Sequence, residues 1–237
     1  MSQVTQPLQR QILRDHVYEV VLEMLLDEQL VPGAALSIDR LSRQLGVSPT
    51  PVREALAHLE HTGLISRSAL KGYRVTSPLS SRQMASMIEA RSVVELAAVE
   101  LAMQDADTLK PQLQAAHERH HAEASELAAT GTAVPSGHVR RAYFQADQEF
   151  HQVFLATAGN EFLGRMLDSI GAHQHRMLQS VGRGVTDHEI AVTEHARILS
   201  AVEQGDVEAA VHAMRCHLDG VKERAISDSE DSQLPQT

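Results

Sequence analysis

The sequence predicts a mainly α protein in two parts, and three observations predict it. Residues 37–76 alternate helix caps, turn glycines and two short β-patterned runs. Beyond residue 80 the composition turns to Ala, Leu, Glu, His and Gln, which favour helix, and no strand signal appears. Charge is also divided. Residues 37–76 hold six Arg or Lys and three acids, a balance of +3, while residues 77–237 hold 13 basic and 23 acidic residues, a balance of −10. The net charge of −10 over 237 residues therefore hides a locally positive stretch.

Residues 1–8 read as a flexible arm. Residues 9–29 read as a helix with Ile12, Val17, Val20, Val21, Met24 and Leu25 on its apolar stripe, stopped by Val31-Pro32-Gly33. Ser37 is placed to cap a short helix with Leu41 and Leu45 on one face. Gly46 suits the following turn, where a positive φ costs a glycine little, and Val47 can pin the two helices together. Ser48 is placed to cap the second helix. Pro49 and Pro51 fall in its first turn, where backbone N–H groups have no intrahelical partner. Val52, Leu56 and Leu59 form its buried stripe and Gly63 ends it. Leu64–Arg67 and Tyr73–Thr76 then alternate as two strands with Lys71-Gly72 at the tip. This is the outline of a winged helix-turn-helix, three helices plus a small β-hairpin. It presents a helix N-terminus, Ser48, Thr50 and Arg53 to DNA. The same outline also occurs in domains that touch no DNA, where these would be ordinary surface residues.

The string LGVSPTPVREALAHLEHTGLI, followed by KGYRV, resembles the DNA-binding domain of GntR-family bacterial transcription regulators, in order from near Gln9 to Thr76. The resemblance implies DNA contacts from Arg43, Ser48, Thr50, Arg53, Lys71 and Gly72. Pro49 departs from the family pattern, which has arginine there, so the usual operator sequence is not expected to carry over.

Residues 77–81 read as a linker, residues 82–227 as an all-helical bundle of six or seven helices, and residues 228–237 as a disordered tail. The helices are expected near 80–104, 107–130, 137–158, 160–181, 186–204 and 206–226. The single cysteine, Cys216, rules out an intramolecular disulfide. With no long apolar run and no secretory leader pattern, a cytoplasmic protein is expected.

Among fourteen histidines, most, including His117, His120, His121, His173 and His212, read as surface or packing residues. Four positions stand apart. Asp147 and His151 lie four apart on one helix face. His195 and His217 flank Gly205, so a fold-back there places each about 15 Å from the turn at 1.5 Å per residue. One carboxylate and three imidazoles suit a divalent ion, although spacing alone equally allows chance pairing in a histidine-rich chain.

RSVVELAA (Arg91–Ala98), DQEFH (Asp147–His151), AGN and EHARILSAVEQGDVEAAVHAMRCHL (Glu194–Leu218) resemble the helical effector-binding FCD domain of the FadR branch of the same family. The resemblance implies metal binding by Asp147, His151, His195 and His217, with zinc first and nickel or manganese as alternatives. It also implies an effector contact at Arg91, which could grip a carboxylate bidentately. The rival reading of Arg91 is an intrahelical pair with Glu95. Three Tyr, four Phe and no Trp argue against a stacking platform for a flat ring.

The expected protein is a homodimeric transcription regulator, with repression relieved by ligand the commoner family mode. It binds a palindromic operator and responds to a small organic acid at a metal-containing pocket. Two other readings remain. One is a hydrolase-type metalloenzyme with Glu149 or Glu194 as base. The other is a regulator that senses the metal itself.

Overall fold

The computed structural model describes residues 5–27, 29–68, 72–132, 134–181 and 184–231, with side chains described within 12–227. The chain separates into two compact units, Met1–Pro78 and Leu79–Thr237.

In the first unit, α1 (Thr5–Leu26) packs on α3 (Pro49–His61) through Val17, Val21, Leu22, Leu25 and Leu26. Two features of α1 differ from expectation. It begins at Thr5, inside the stretch read as an arm, and Ile12 is 67% exposed rather than part of the buried stripe. The buried stripe is instead filled out by Leu22 and Leu26, which share a helix face with Val17, Val21 and Leu25. Helix α2 (Ile38–Leu45) begins where the Ser37 hydroxyl accepts from the Arg40 amide, and ends at Gly46 with φ 66°. In α3, Pro49 occupies the first turn and Val52, Ala55, Leu56 and Leu59 are buried. Gly63, at φ 79°, lets the chain leave the helix toward the sheet.

The sheet has three antiparallel strands in the order β1-β3-β2: β1 (Ala35–Leu36), β2 (Ile65–Ser68) and β3 (Gly72–Val75). Leu36 and Arg67 both face Tyr73 across β3. The hairpin is thus joined by a two-residue strand too short to carry an alternation pattern in sequence.

The second unit holds seven α-helices among the described residues: α4 (Ser81–Ala102), α5 (Ala106–Ala129), α6 (Gly137–Thr157), α7 (Glu161–Ile170), α8 (Ala172–Gln179), α9 (His188–Gln204) and α10 (Val207–Asp231). Caps fix their starts. Ser80 and Gln83 form a reciprocal capping box on α4, and Asp105, Ser136 and Asn160 cap α5, α6 and α7. The helix expected over 160–181 is two helices, because Gly171 takes φ 64° and turns the chain between α7 and α8. Helix α10 continues to Asp231, into the stretch read as a disordered tail.

The core runs between α4, α5, α6, α9 and α10 through Val99, Leu113, Phe150, Phe154, Ile198, Val202, Met214 and Leu218. A turn at Gly205 (φ 71°) folds α10 back on α9. There the Asp206 amide donates to Ala201, and the Asp206 carboxylate accepts from the Ala209 amide.

Candidate functional site

In the first unit the predicted DNA-contacting side chains stand outside the core. Arg43, Ser48 and Arg53 are exposed and Thr50 is half-buried at the start of α3. Ser48 occupies the N-cap position but its hydroxyl makes no capping bond, so it remains available to an outside partner. Gly72 opens β3 with φ 70°, a conformation that a side chain would strain. Lys71 lies outside the described residues. Arg74 is committed elsewhere, donating to the Gly33 carbonyl at 2.8 Å, and Arg67 sits 5.5 Å from the Tyr73 ring centre.

In the second unit the helices bring buried histidines together. His151 on α6, His195 on α9 and His217 on α10 are each at most 1% exposed. One ligand atom from each lies within 4.8 Å of the other two. The Nε2 atoms of His195 and His217 are 3.4 Å apart across the α9–α10 hairpin. Asp147, one turn before His151, places Oδ1 3.6 Å from His195 Nε2.

Two carboxylates orient the rings. The Nδ1 of His151 donates to Glu95 at 2.5 Å and the Nδ1 of His217 donates to Glu194 at 2.8 Å. A carboxylate only accepts, so each Nδ1 carries the proton and each Nε2 of the neutral ring keeps a lone pair. The Nε2 of His151 is buried without a partner. Burial drives His151 down to about 4, against the pull of Glu95, and pushes His195 well below the usual histidine range. Both rings are therefore neutral near pH 7. Burial pushes Asp147 up, but a hydrogen bond from His173 and the surrounding imidazoles outweigh it and hold the carboxyl well below its ordinary range. An ionised carboxylate beside neutral imidazoles is the donor set a divalent cation requires.

Each tether is itself anchored. Glu95 pairs with Arg91 at 2.5 Å, both buried; burial alone would raise its pKa, but Arg91 and His151 hold it far below the carboxylate range. Glu194 accepts two bonds from Arg224, at 3.0 and 2.9 Å, and Arg224 also reaches Asp187 at 2.9 Å.

The intrahelical pair of Arg91 with Glu95, the rival reading of that arginine, is thus formed. Its Nη2 nevertheless stays buried without a partner, and Arg91 lines a hollow of about 20 Å³ with Tyr143, Asp147, His173, Arg176 and His217. Two histidines read as surface or packing residues belong to the same locus. His173 on α8 is 5% exposed with Nδ1 3.3 Å from Asp147 Oδ2, and His120 on α5 is wholly buried with Nε2 3.8 Å from Asp147 Oδ1. The carboxylate they share, Asp147, arrives from another helix, so no local spacing pointed to this role. Glu149 is exposed and pairs with Arg119, and Glu194 is spent on His217 and Arg224, so neither stands as an enzyme's free base.

These features define a DNA-binding regulator with a helical second domain. Residues 13–75 match the family described as "Bacterial regulatory proteins, gntR family", and residues 86–220 match the FCD domain. The chain belongs to the GntR family of transcription regulators with a C-terminal FCD domain. It is 27% identical over 204 residues to the HTH-type transcriptional regulator YdhC of Bacillus subtilis, covering 84% of this chain and 85% of that one. It is also 27% identical over 221 residues to a protein of Paenarthrobacter nicotinovorans named "Probable D-xylose utilization operon transcriptional repressor", covering 92% and 91%. The structure of Escherichia coli McbR/YncC shares the fold, with a TM-score of 0.67, 22% identity and coverage of 91% and 97%. The matched domains and relatives are transcription regulators rather than enzymes. Among the described residues no helix is long and apolar enough to cross a membrane.

Proposed function

We propose that this regulator is a cytoplasmic homodimer that releases a palindromic operator when a small organic acid binds beside a metal ion in its helical domain. The observation that carries the reading is the pair of histidine–carboxylate tethers. Glu95 and Glu194 fix two rings so that their Nε2 atoms turn inward beside His195. Packing alone gives no reason to bury three imidazoles around a shared space and orient two of them with ionised carboxylates.

Asp147, His151, His195 and His217 would hold the ion, zinc by preference for this nitrogen-rich set. When bound, the ion supplies Lewis-acid attraction for an anionic oxygen of the effector. The unpartnered Nη2 of Arg91 supplies a second, directional contact for the same carboxylate. The name of one relative, which refers to D-xylose utilization, supports a link to carbon-source use. On DNA, the α3 N-terminus would approach phosphate, with Arg53, Thr50, Ser48 and Arg43 as contacts and the wing tip at Lys71-Gly72. Two copies related by a two-fold axis present two such helices, hence a palindrome.

The test measures binding of the metal-loaded protein to a DNA fragment from upstream of its own gene, against a panel of hydroxy and sugar acids. One acid is expected to weaken binding at least about tenfold and to raise the melting temperature. If no acid changes either property while chelation alone releases DNA, the ion is the signal. If neither acids nor chelation act, the reading fails.

A further inference from the structure

His120 is the most anomalous polar residue in the described part of the bundle. Its side chain is 0% exposed, and neither ring nitrogen has a hydrogen-bond partner. A neutral imidazole carries one donor and one acceptor, and leaving both unmet in a dry core forfeits the hydrogen bonds each would make to water. An ordinary apolar residue would pack there without that cost. The ring instead lies 4.7 Å, centre to centre, from His195 and 5.0 Å from Tyr143.

Its position relative to the other donors is what gives it meaning. A ligand atom from each of His120, Asp147 and His195 lies within 4.8 Å of the other two, a second trio that shares His195 with the first. The measured separations are 3.8 Å from His120 Nε2 to Asp147 Oδ1 and 3.6 Å from that oxygen to His195 Nε2. Donors about 2.1 Å from one ion stand at most about 4.2 Å apart. Both separations fall inside that limit, and His151 and His217 group separately around the same His195, so one ion would draw the two trios together at that shared ring.

We propose that His120 is a fifth protein donor to the ion held by Asp147, His151, His195 and His217. This rests on the metal-site reading above and goes beyond it, because it assigns a ligand from α5, a helix that the four-residue set leaves out. Five protein donors occupy a coordination position that a four-ligand site leaves to water. An effector oxygen then has fewer open positions, which favours an acid binding through one oxygen on the ion and a second group on the protein.

The test uses protein loaded with Co²⁺ in place of the native ion. Proton spectra in water then show one paramagnetically shifted imidazole N–H signal for each ligating histidine. Four such signals are expected from the wild type, and three from His120→Gln. Competition with a chromophoric chelator should show metal affinity at least about tenfold lower in His120→Gln. His217→Ala serves as the reference and should bind no stoichiometric metal. If His217→Ala stays fully loaded, the metal site itself is misassigned. If it loses metal while the wild type shows only three shifted N–H signals, the four-residue site stands and the fifth donor is overturned. Because the wild-type spectrum decides the point alone, a His120 variant that fails to fold does not rescue the proposal.

Discussion

The two units spend their polar side chains in opposite ways. In the first, the residues proposed to touch a partner stand at the surface of helices whose other faces are apolar and buried, as Arg53 does beside Val52 and Leu56. In the second, the corresponding residues lie inside: Arg91, Glu95, His120, His151, His195 and His217 are all at most 2% exposed. A polymer as large as DNA must be met from outside, where side chains need only be presented. A small ligand is met from within, and each buried polar atom then requires a second residue to satisfy it, as Glu95 and Glu194 do. The interior site is the more demanding construction and should be the more easily broken.

Experiments that break this contrast fall in order of expected effect. His195→Ala should abolish metal retention, read as metal content per chain after exhaustive dialysis, while DNA binding by the first unit persists; full retention would remove His195 from the site. Glu95→Gln leaves Arg91 charged and buried without its counter-ion, and should cost about 3–5 kcal/mol of stability by denaturant unfolding. A loss below about 1 kcal/mol would mean that the pair is solvated rather than sealed. Arg53→Ala should weaken operator binding by about tenfold or more in anisotropy titrations and leave metal content unchanged. Arg224→Ala releases Glu194, but this tether is partly open to solvent, so a smaller fall in metal affinity, of about tenfold or less, is expected by chelator competition. Smallest is Gly205→Ala. Its added methyl meets nothing within 4 Å, so only the left-handed backbone is strained, by about 1 kcal/mol in thermal unfolding.

The same contrast explains what could be read in the sequence. The winged region was legible because its signals are local: Ser37 caps, Gly46 turns, Pro49 starts and Gly63 stops, all within one short stretch. What escaped there was β1, whose two residues become a strand only by pairing with Arg74 and Tyr73, far along the chain. In the bundle, Asp147 with His151 and His195 with His217 were visible as a helical repeat and a symmetric hairpin. Glu95 was weighed only as a partner for Arg91, because its bond to His151 spans 56 residues. His120 and His173 were passed over for the same reason, since their neighbours arrive from other helices. The helix expected over 160–181 runs across Gly171, whose left-handed backbone divides it into α7 and α8.

The α9–α10 hairpin also works as a ruler. The facing nitrogens of His195 and His217 are separated by 22 residues of chain, and their meeting depends on that count. One residue inserted between Gly205 and His217 would turn the second ring about 100° around its helix and carry it about 1.5 Å along the axis. Substitutions on the exposed rim of the turn leave that arithmetic intact, whereas any change in length does not. Across evolution the exposed rim of this turn should therefore drift freely in composition, while the segment as a whole should hardly change in length.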